Sequence, residues 1–372
     1  MHPQEHPDLP LLRNALAQGH PTPLLLMKAT TLTAQVQRFR AALPRVIPHF
    51  AVKCNPDPAV LRTLRAAGAG FEIASPDELQ RCLALGVPAA ELYYSNPVRA
   101  RDAIAQAARA GVQWFVIDSI EELHKVHAIH PGASLYLRLH TSNEGAVSPL
   151  SDKFGVLEAD IAPLLDEAMR LRADLAGVTF HAGSQCLNPD NWLIGIRAAL
   201  AVFGQMRERG LRPRLLNLGG GYPVRHREPV PDIETIAAQV NTLLASVPDE
   251  VHIIAEPGRF LVSEAGWLLT RVIGTTVRRG QPWAYLDAGV FQGLLESITG
   301  IEYDLYTERH GPRVPWVIAG PTCDSMDICH RAQPMPADLR EGDLVYVRNA
   351  GAYSNACSSG FNGFALPEVV LV

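Results

Sequence analysis

The 372-residue sequence lacks the features that mark several broad classes of protein. It has no run of basic residues and its net charge is −5, which argues against nucleic acid or an anionic membrane as a partner. No apolar run approaches the ~18 residues of a membrane span, and the N-terminus has no apolar core of signal-peptide length. The six cysteines form no Cys-x-x-Cys pair, so we expect free thiols, no metal site and a cytoplasmic protein.

Two further absences reduce the number of folds that the sequence can adopt. The chain has no evident internal repeat, and it has no Gly-x-Gly-x-x-Gly turn of the kind that follows the first strand of an open doubly wound sheet. Instead, short apolar runs alternate with segments of helical period. Eight runs over roughly 210 residues predict an α/β fold with a (β/α)8 TIM-type barrel. The predicted strands are residues 49–53, 71–75, 92–95, 114–118, 134–140, 178–182, 215–218 and 252–256.

The pattern changes after about residue 260, where glycine and proline turns separate strand-like runs with little helical period. These runs are residues 268–277, 283–287, 314–318 and 344–348, and a similar run lies at 22–27. We therefore predict a barrel domain over residues 25–262, and a mainly-β domain made of residues 1–24 and 263–372.

A lysine stands at the end of the first predicted barrel strand, in the run Pro-His-Phe-Ala-Val-Lys-Cys-Asn at 48–55. An amine that is partly removed from water there can condense with an aldehyde. The alternative is an ordinary lysine that leaves a strand for solvent, which is the commoner case.

Chemistry in a barrel belongs to the carboxyl ends of the strands. The predicted strands of this chain nearly all end in groups that can bind or react, which indicates a functional site at that end of the barrel. The groups are Lys53, Glu72, Ser75, Asn96, Arg138, His181, Ser184, Gly219, Gly220, Gly221, Glu256, Gly258 and Arg259.

Three of these strand ends suggest particular contacts. The glycines at 219–221, called the glycine turn below, let backbone N–H groups converge on an anion, although a plain tight turn is equally consistent. Glu256 needs a positive partner, which could be Arg259 or a protonated ring nitrogen. His181 could be a core histidine or a flat surface on which an aromatic cofactor stacks.

Seven motifs occur in an order that resembles one enzyme family. They are Ala-Val-Lys-Cys-Asn (51–55), Phe-His-Ala-Gly-Ser (180–184), Leu-Gly-Gly-Gly-Tyr-Pro (218–223), Ala-Glu-Pro-Gly-Arg-Phe (255–260), Gly-Pro-Thr-Cys-Asp-Ser (320–325), Gly-Ala-Tyr (351–353) and Phe-Asn-Gly-Phe (361–364). From about residue 22 to the end, the chain resembles the fold-type-III pyridoxal-phosphate decarboxylases of ornithine, lysine, diaminopimelate and arginine. The ornithine/lysine branch, which serves polyamine biosynthesis, is the most similar. The family has an alanine racemase-like barrel with a C-terminal β domain.

The resemblance implies that Lys53 holds pyridoxal 5'-phosphate as a Schiff base, that Glu256 pairs with the pyridinium nitrogen and that His181 stacks on the ring. A carboxylate at Glu256 would keep that nitrogen protonated, so that the ring absorbs the electrons left by CO2. The residues implied to bind the cofactor are Lys53, Glu72, Arg138, His181, Ser184, Gly220, Gly221, Glu256, Gly258, Arg259 and Tyr353. Glu72 replaces the aspartate usual in ornithine enzymes.

The resemblance also implies a head-to-tail homodimer with two shared active sites. Cys323 would act as a proton donor in the partner's site, and Asp324 would bind the distal amine of the substrate. A second acid at that amine stays open between Glu296, Glu302 and Asp304, and each of these could instead be a surface charge. The implied catalytic residues are Lys53, Cys323, His181 and Glu256, and the implied substrate-binding residues are Asp324, Asp304, Glu296 and Tyr353.

We therefore predict decarboxylation of L-ornithine or L-lysine to a diamine. One alternative is a larger diamino-acid conjugate of siderophore-type biosynthesis. Another is meso-diaminopimelate, which is disfavoured because Asp324 stands where that branch has a longer glutamate. A non-catalytic relative that binds the cofactor or a protein partner is the remaining alternative, although such proteins tend to lose the lysine or the cysteine.

Overall fold

The computed structural model describes residues 6–372, which divide into two compact units. The barrel unit comprises Thr33–Pro223 and Val230–Phe260. The β unit comprises the described residues up to Leu32, together with Val224–Pro229 and Leu261–Val372. None of the helices in the described chain combines the length and apolar character needed to cross a membrane.

The helices and strands follow one another along the chain as listed here. The α-helices are α1 (Leu9–Ala17), α2 (Ala29–Ala42), α3 (Pro58–Ala66), α4 (Pro76–Ala84), α5 (Arg101–Ala110), α6 (Ile120–Ile129), α7 (Glu158–Leu171), α8 (Asp190–Glu208), α9 (Ile233–Leu244) and α10 (Arg259–Val262). The strands are β1 (Leu24–Met27), β2 (Ile47–Ala51), β3 (Gly70–Ile73), β4 (Leu92–Tyr94), β5 (Trp114–Ile117), β6 (Ser134–Arg138), β7 (Ala146–Ser148), β8 (Asp174–Thr179), β9 (Ser184–Cys186), β10 (Leu215–Asn217), β11 (His252–Ala255), β12 (Gly266–Arg278), β13 (Gln281–Leu286), β14 (Leu305–Tyr306), β15 (Arg313–Ala319), β16 (Ile328–Pro336), β17 (Leu344–Arg348) and β18 (Glu368–Leu371).

The barrel unit contains a closed barrel of parallel strands in the order β10-β11-β2-β3-β4-β5-β6-β8. These strands are almost wholly buried, which explains why they appear in the sequence as apolar runs rather than as alternating patterns. Side chains from five strands fill the interior: Tyr93, Val116, Tyr136, Leu215 and Ile254. The predicted barrel is confirmed.

One barrel strand was placed wrongly by the sequence analysis. The predicted strand at 178–182 is observed at Asp174–Thr179, because α7 ends at Leu171 and the chain turns back at once. Arg172 provides that turn in a left-handed conformation with φ 55°, without the glycine that usually marks such a helix end. The barrel strand therefore begins four residues earlier than predicted.

The β unit is a mainly-β domain, as predicted. Its sheet has the order β14-β17-β12-β13-β15-β16, and β1 pairs antiparallel with β12 and parallel with β18. The five predicted strand runs correspond to β1, β12, β13, β15 and β17, whereas β14, β16 and β18 were missed. Helix α1 packs on this sheet through an apolar cluster of Leu9, Leu12, Ala15, Leu24, Leu26, Trp267, Leu269 and Tyr346.

A buried histidine lies in the barrel wall on β2. The ring of His49 meets Tyr93 edge-on at 4.7 Å, and Nδ1 lies 3.3 Å from the carbonyl oxygen of Ile47. Burial lowers the pKa of His49 from 6.5 to about 4, because the charged imidazolium would lose its hydration there. The folded protein therefore prefers the neutral ring.

This preference predicts a pH-dependent stability difference. Above pH 6.5 both folded and unfolded His49 are neutral, and as the pH falls from 6.5 towards 4 only the unfolded state takes up the proton. Between pH 7.5 and pH 5, the unfolding free energy of the wild type should therefore fall by about 2 kcal/mol relative to His49→Gln. Denaturant titration at both pH values measures the difference.

Taking the difference between the two proteins cancels other titrating groups, such as Glu78, whose pKa is raised to about 7 by burial and by Glu72. Equal profiles for wild type and His49→Gln would contradict the assignment of a neutral buried ring.

Candidate active site

Lys53 lies in a single 3-10 turn, Val52–Cys54, directly after β2. Its Nζ is 2.8 Å from Oε2 of Glu72, which lies on the neighbouring strand β3. The lysine side chain is 46% exposed, whereas that of Glu72 is 1% exposed. Oε1 of Glu72 is buried and accepts no hydrogen bond within residues 6–372. A solvent-accessible amine thus contacts a buried carboxylate whose second oxygen accepts no hydrogen bond in the described chain.

The glycine turn follows β10 and is closely packed. Gly221 has φ 104°, and a Cβ built on it would lie 2.2 Å from the carbonyl oxygen of Gly183. Only glycine fits this position. The backbone N–H groups of Gly220 and Gly221 have no acceptor in the part of the chain that the structure describes. Two unpaired N–H groups in a turn without side chains are suited to bind an anion such as a phosphate.

His181 lies beside the glycine turn. Its Nδ1 accepts the backbone N–H of Gly183 at 3.0 Å, so a neutral ring carries its proton on Nε2. Burial lowers the pKa of His181 well below its ordinary value, and the charges of Arg138 and Lys53 lower it further. A Cβ on Gly220 would lie 3.0 Å from Nε2. The ring is therefore a neutral, fixed surface.

Glu256 follows β11 and is held by neutral donors. Its Oε1 accepts Oγ–H of Ser95 at 2.5 Å and Nδ2–H of Asn217 at 2.7 Å. The hydroxyl of Tyr136 lies 2.6 Å from Oγ of Ser95. Burial raises the pKa of Glu256, and the charge of Glu72 raises it further, while Lys53 and the two donors lower it. The sequence analysis missed Ser95, Asn217 and Tyr136, although Ser95 and Asn217 are polar residues at the ends of strands.

The other cofactor-binding residues predicted in the barrel unit also lie near the ends of its strands. Arg138 ends β6, with its guanidinium 5.3 Å from the ring centre of Phe154, and burial lowers its pKa. Ser184 begins β9, and Arg259 is buried at the start of α10. A Cβ on Gly258 would lie 3.1 Å from Cβ of Cys54, next to Lys53.

Two polar residues at strand ends have local structural roles instead. Ser75 caps α4, where its Oγ accepts the backbone N–H of Glu78 at 3.3 Å. Nδ2 of Asn96 donates to the carbonyl oxygen of Val98 at 2.9 Å. Position at a strand end therefore does not by itself place a residue in the candidate site.

The remaining predicted residues lie in the β unit. Tyr353 has a left-handed backbone with φ 62°, a conformation that is uncommon for an aromatic residue and recurs at functional sites. Cys323 is exposed, and its backbone N–H donates to Oδ1 of Asn362 at 3.0 Å. Oδ1 of Asp324 accepts the backbone N–H of Met326 at 2.8 Å.

A buried carboxylate that the sequence analysis missed anchors the segment 320–327, called the Asp327 turn below. Oδ1 of Asp327 accepts the backbone N–H of Val290 at 2.7 Å. Its Oδ2 accepts the backbone N–H and the hydroxyl of Thr322 at 3.0 and 2.7 Å. The backbone N–H of Asp327 itself donates to the carbonyl oxygen of Asp324 at 3.1 Å. These bonds fix both ends of the segment that carries Cys323.

The three candidate second acids differ in their surroundings. Glu302 and Asp304 both face Arg227, whose guanidinium nitrogens lie 3.3 and 3.9 Å from their carboxylate oxygens. Burial raises the pKa of Asp304, although Arg227 and two other arginines oppose that effect. Glu296 lies in the 3-10 turn Leu295–Thr299.

The chain is similar to proteins of known function over almost its whole length. Residues 29–263 match the profile of the family described as "Pyridoxal-dependent decarboxylase, pyridoxal binding domain". Ornithine decarboxylase of Schizosaccharomyces pombe is 36% identical over 357 residues, covering 90% of this chain and 80% of that protein. Lysine/ornithine decarboxylase of Selenomonas ruminantium is 31% identical over 362 residues, covering 96% of this chain and 91% of that protein. The solved structure of lysine/ornithine decarboxylase from Vibrio vulnificus complexed with putrescine has a TM-score of 0.91 at 33% identity, covering 99% of both chains.

Proposed function

Because this chain belongs to the family of pyridoxal-dependent decarboxylases, we propose that it removes CO2 from L-ornithine or L-lysine and releases a diamine. It is an amino acid carboxy-lyase that uses pyridoxal 5'-phosphate. The observation that carries the proposal is the arrangement of Lys53, the glycine turn and Glu256 around one closed barrel of parallel strands.

The residues present fit this cofactor. The glycine turn offers two unpaired N–H groups in a space that a Cβ would fill, which suits a phosphate. The amine of Lys53 is within reach of solvent beside a buried carboxylate, which suits covalent attachment to an aldehyde. The bound cofactor supplies an electron sink for the electron pair that the departing carboxylate leaves behind.

Each predicted cofactor-binding residue then has a proposed task. Lys53 holds the cofactor covalently, and Glu72 positions that amine through the 2.8 Å contact. Glu256 would hold a proton on the ring nitrogen, and the neutral His181 ring would provide a surface on which the cofactor ring can stack. Around the phosphate and the rest of the ring, the resemblance adds Arg138, Ser184, Gly220, Gly221, Gly258, Arg259 and Tyr353.

We further propose a homodimer in which Cys323 and Asp324 of one subunit complete the site of the other. Exposed apolar side chains of the β unit near Cys323 support this arrangement. Met326 is 57% exposed and Phe361 43% exposed, and Phe361 lies 4.9 Å from the ring of Phe291. A second copy of the chain would remove these side chains from water.

A cytoplasmic location is also part of the proposal. All six cysteines lie among the described residues and none forms a disulfide, and Cys323 and Cys357 are exposed. Exposed thiols persist in a reducing compartment, where glutathione and thioredoxin oppose disulfide formation.

The proposed activity is tested by measuring CO2 release from purified protein with a panel of amino acids: ornithine, lysine, arginine, meso-diaminopimelate and amide-linked diamino acids. Release from ornithine or lysine with a kcat/KM well above that for the others is the expected result. Preference for an amide-linked conjugate or for diaminopimelate would replace the proposed substrate by one of the alternatives.

Asp324→Asn tests the contact with the distal ammonium group. The amide keeps an oxygen for the backbone N–H of Met326 and removes only the charge. Loss of a charge-assisted contact should raise KM for ornithine or lysine by about 30- to 100-fold, with unchanged cofactor content. Steady-state kinetics and cofactor absorbance measure both, with the neighbouring Ser325→Ala as control. An unchanged KM would remove Asp324 from the substrate site.

A further inference from the structure

The hydrogen bonds around Glu256 have a defined direction. Ser95 has one hydroxyl proton, and it donates that proton in the 2.5 Å hydrogen bond to Oε1 of Glu256. The hydroxyl of Tyr136 must therefore donate to Oγ of Ser95 across 2.6 Å. Oδ1 of Asn217 accepts the backbone N–H of Gly219 at 2.9 Å, so the amide directs its N–H towards Glu256. Both side-chain donors thus converge on the same carboxylate oxygen.

The other carboxylate oxygen has a different environment. Within residues 6–372, no hydrogen bond reaches Oε2 of Glu256. The donors thus distinguish the two oxygens, since one is saturated by Ser95 and Asn217 and the other is left to a ligand. A carboxylate that only filled space in the barrel would not need this asymmetry.

We propose that Tyr136, Ser95 and Asn217 are positioning residues that keep Glu256 ionised and turn its second oxygen towards the ring nitrogen of the cofactor. This inference rests on the proposed function. Tyr136 anchors the chain of hydrogen bonds because its ring is packed in the barrel interior, where it is fully buried. Asn217 bonds to both the glycine turn and Glu256, so one side chain links the phosphate end of the site to the ring-nitrogen end.

Several charged groups near Glu256 have opposite effects on whether its carboxyl group is protonated or ionised. Glu72 favours its neutral form, whereas Lys53 favours the carboxylate. Arg138 also interacts favourably with that carboxylate, and burial with the charge of Glu256 raises the pKa of Tyr136 well above its ordinary value. Tyr136 therefore stays a neutral donor. Against the combined effect of burial and Glu72, the two hydrogen bonds from Ser95 and Asn217 stabilise the charged form.

The test compares Ser95→Ala, Asn217→Asp and Tyr136→Phe with wild type in two measurements besides turnover. These are the dissociation constant of pyridoxal 5'-phosphate and the pH titration of its bound visible absorbance. Ser95→Ala and Asn217→Asp should weaken cofactor binding about tenfold and raise the midpoint of the absorbance titration by about one pH unit. Ser95→Ala removes one donor to Glu256, and Asn217→Asp replaces the other donor by a second carboxylate. Tyr136→Phe should shift both in the same direction but less. KM for the substrate should change little while kcat falls.

Two controls separate positioning from folding. Ser95→Thr keeps the hydroxyl and should restore the affinity and the midpoint. In a Glu256→Gln background, Ser95→Ala should cause no further shift, since the group that it acts through is gone. The proposal would be overturned if Ser95→Ala and Asn217→Asp both bound the cofactor within twofold of the wild-type affinity and both had absorbance midpoints within 0.2 pH units of wild type. A fall in their melting temperatures would not change that conclusion. Failure of the wild type to release CO2 would instead overturn the proposed function. The binding measurements would still decide whether Ser95, Asn217 and Tyr136 position Glu256.

Discussion

Lys53→Ala is expected to reduce the rate of CO2 release by about 10³-fold or more, because no other residue in the proposed site can attach the cofactor covalently. The visible absorbance band of the bound cofactor should disappear as well. After borohydride reduction of the wild type, mass spectrometry should find the cofactor on the peptide that contains Lys53. The alanine variant should carry none.

Lys53→Arg is the matched control. The guanidinium keeps a positive charge beside Glu72, which Lys53 now contacts at 2.8 Å, but it cannot condense with an aldehyde. If the ion pair alone mattered, the arginine variant would keep its activity. Activity in either variant near that of wild type would show that the amine of Lys53 does not hold the cofactor.

A mixture of two inactive proteins is expected to recover activity. Lys53→Ala lacks the covalent attachment, and the double variant Cys323→Ala/Asp324→Ala lacks the groups that the partner subunit is proposed to supply. If the subunits exchange freely, half of the dimers are mixed, and each mixed dimer has one complete site. The mixture should therefore reach about a quarter of the wild-type activity.

The control for that experiment mixes Lys53→Ala with Glu256→Gln. Lys53 and Glu256 both lie in the barrel unit, so each proposed site takes both residues from the same subunit. In the mixed dimer, one site therefore lacks Lys53 and the other lacks Glu256. This mixture should stay inactive. Recovery in the control mixture, or none in the first mixture after proven subunit exchange, would contradict a site shared between subunits.

The sequence predicted the barrel well because its strands are buried on both faces. Each is a short apolar run that ends at a polar group, and the intervening helices have clear starts, such as Ser119, which caps α6. The boundary between α7 and β8 failed because Leu171 and Leu175 continue the helical spacing, whereas the left-handed Arg172 interrupts the helix without any glycine or proline. Strand β16 was missed because Pro334 and Pro336 suggest a loop.

The candidate site was predictable where one residue carries the signal, as with Lys53 and Glu256. The network around Glu256 was not, since Ser95 lies 161 residues and Asn217 lies 39 residues from Glu256 along the chain. Serine and asparagine at the end of a strand are common, and only the closing of the barrel brings these two onto one carboxylate oxygen. Asp327 was not predicted for a similar reason. Its partners Val290 and Thr322 lie in turns and give no signal of their own in the sequence.

The Asp327 turn has a consequence for protein engineering. Its shape depends on hydrogen bonds to the buried carboxylate of Asp327. Among residues 323–325, the side chain of Asp324 adds one bond, which it accepts from the backbone N–H of Met326. Given the proposed role of Cys323 and Asp324 in the site, libraries that vary residues 323–325 can keep Thr322 and Asp327 as a constant frame.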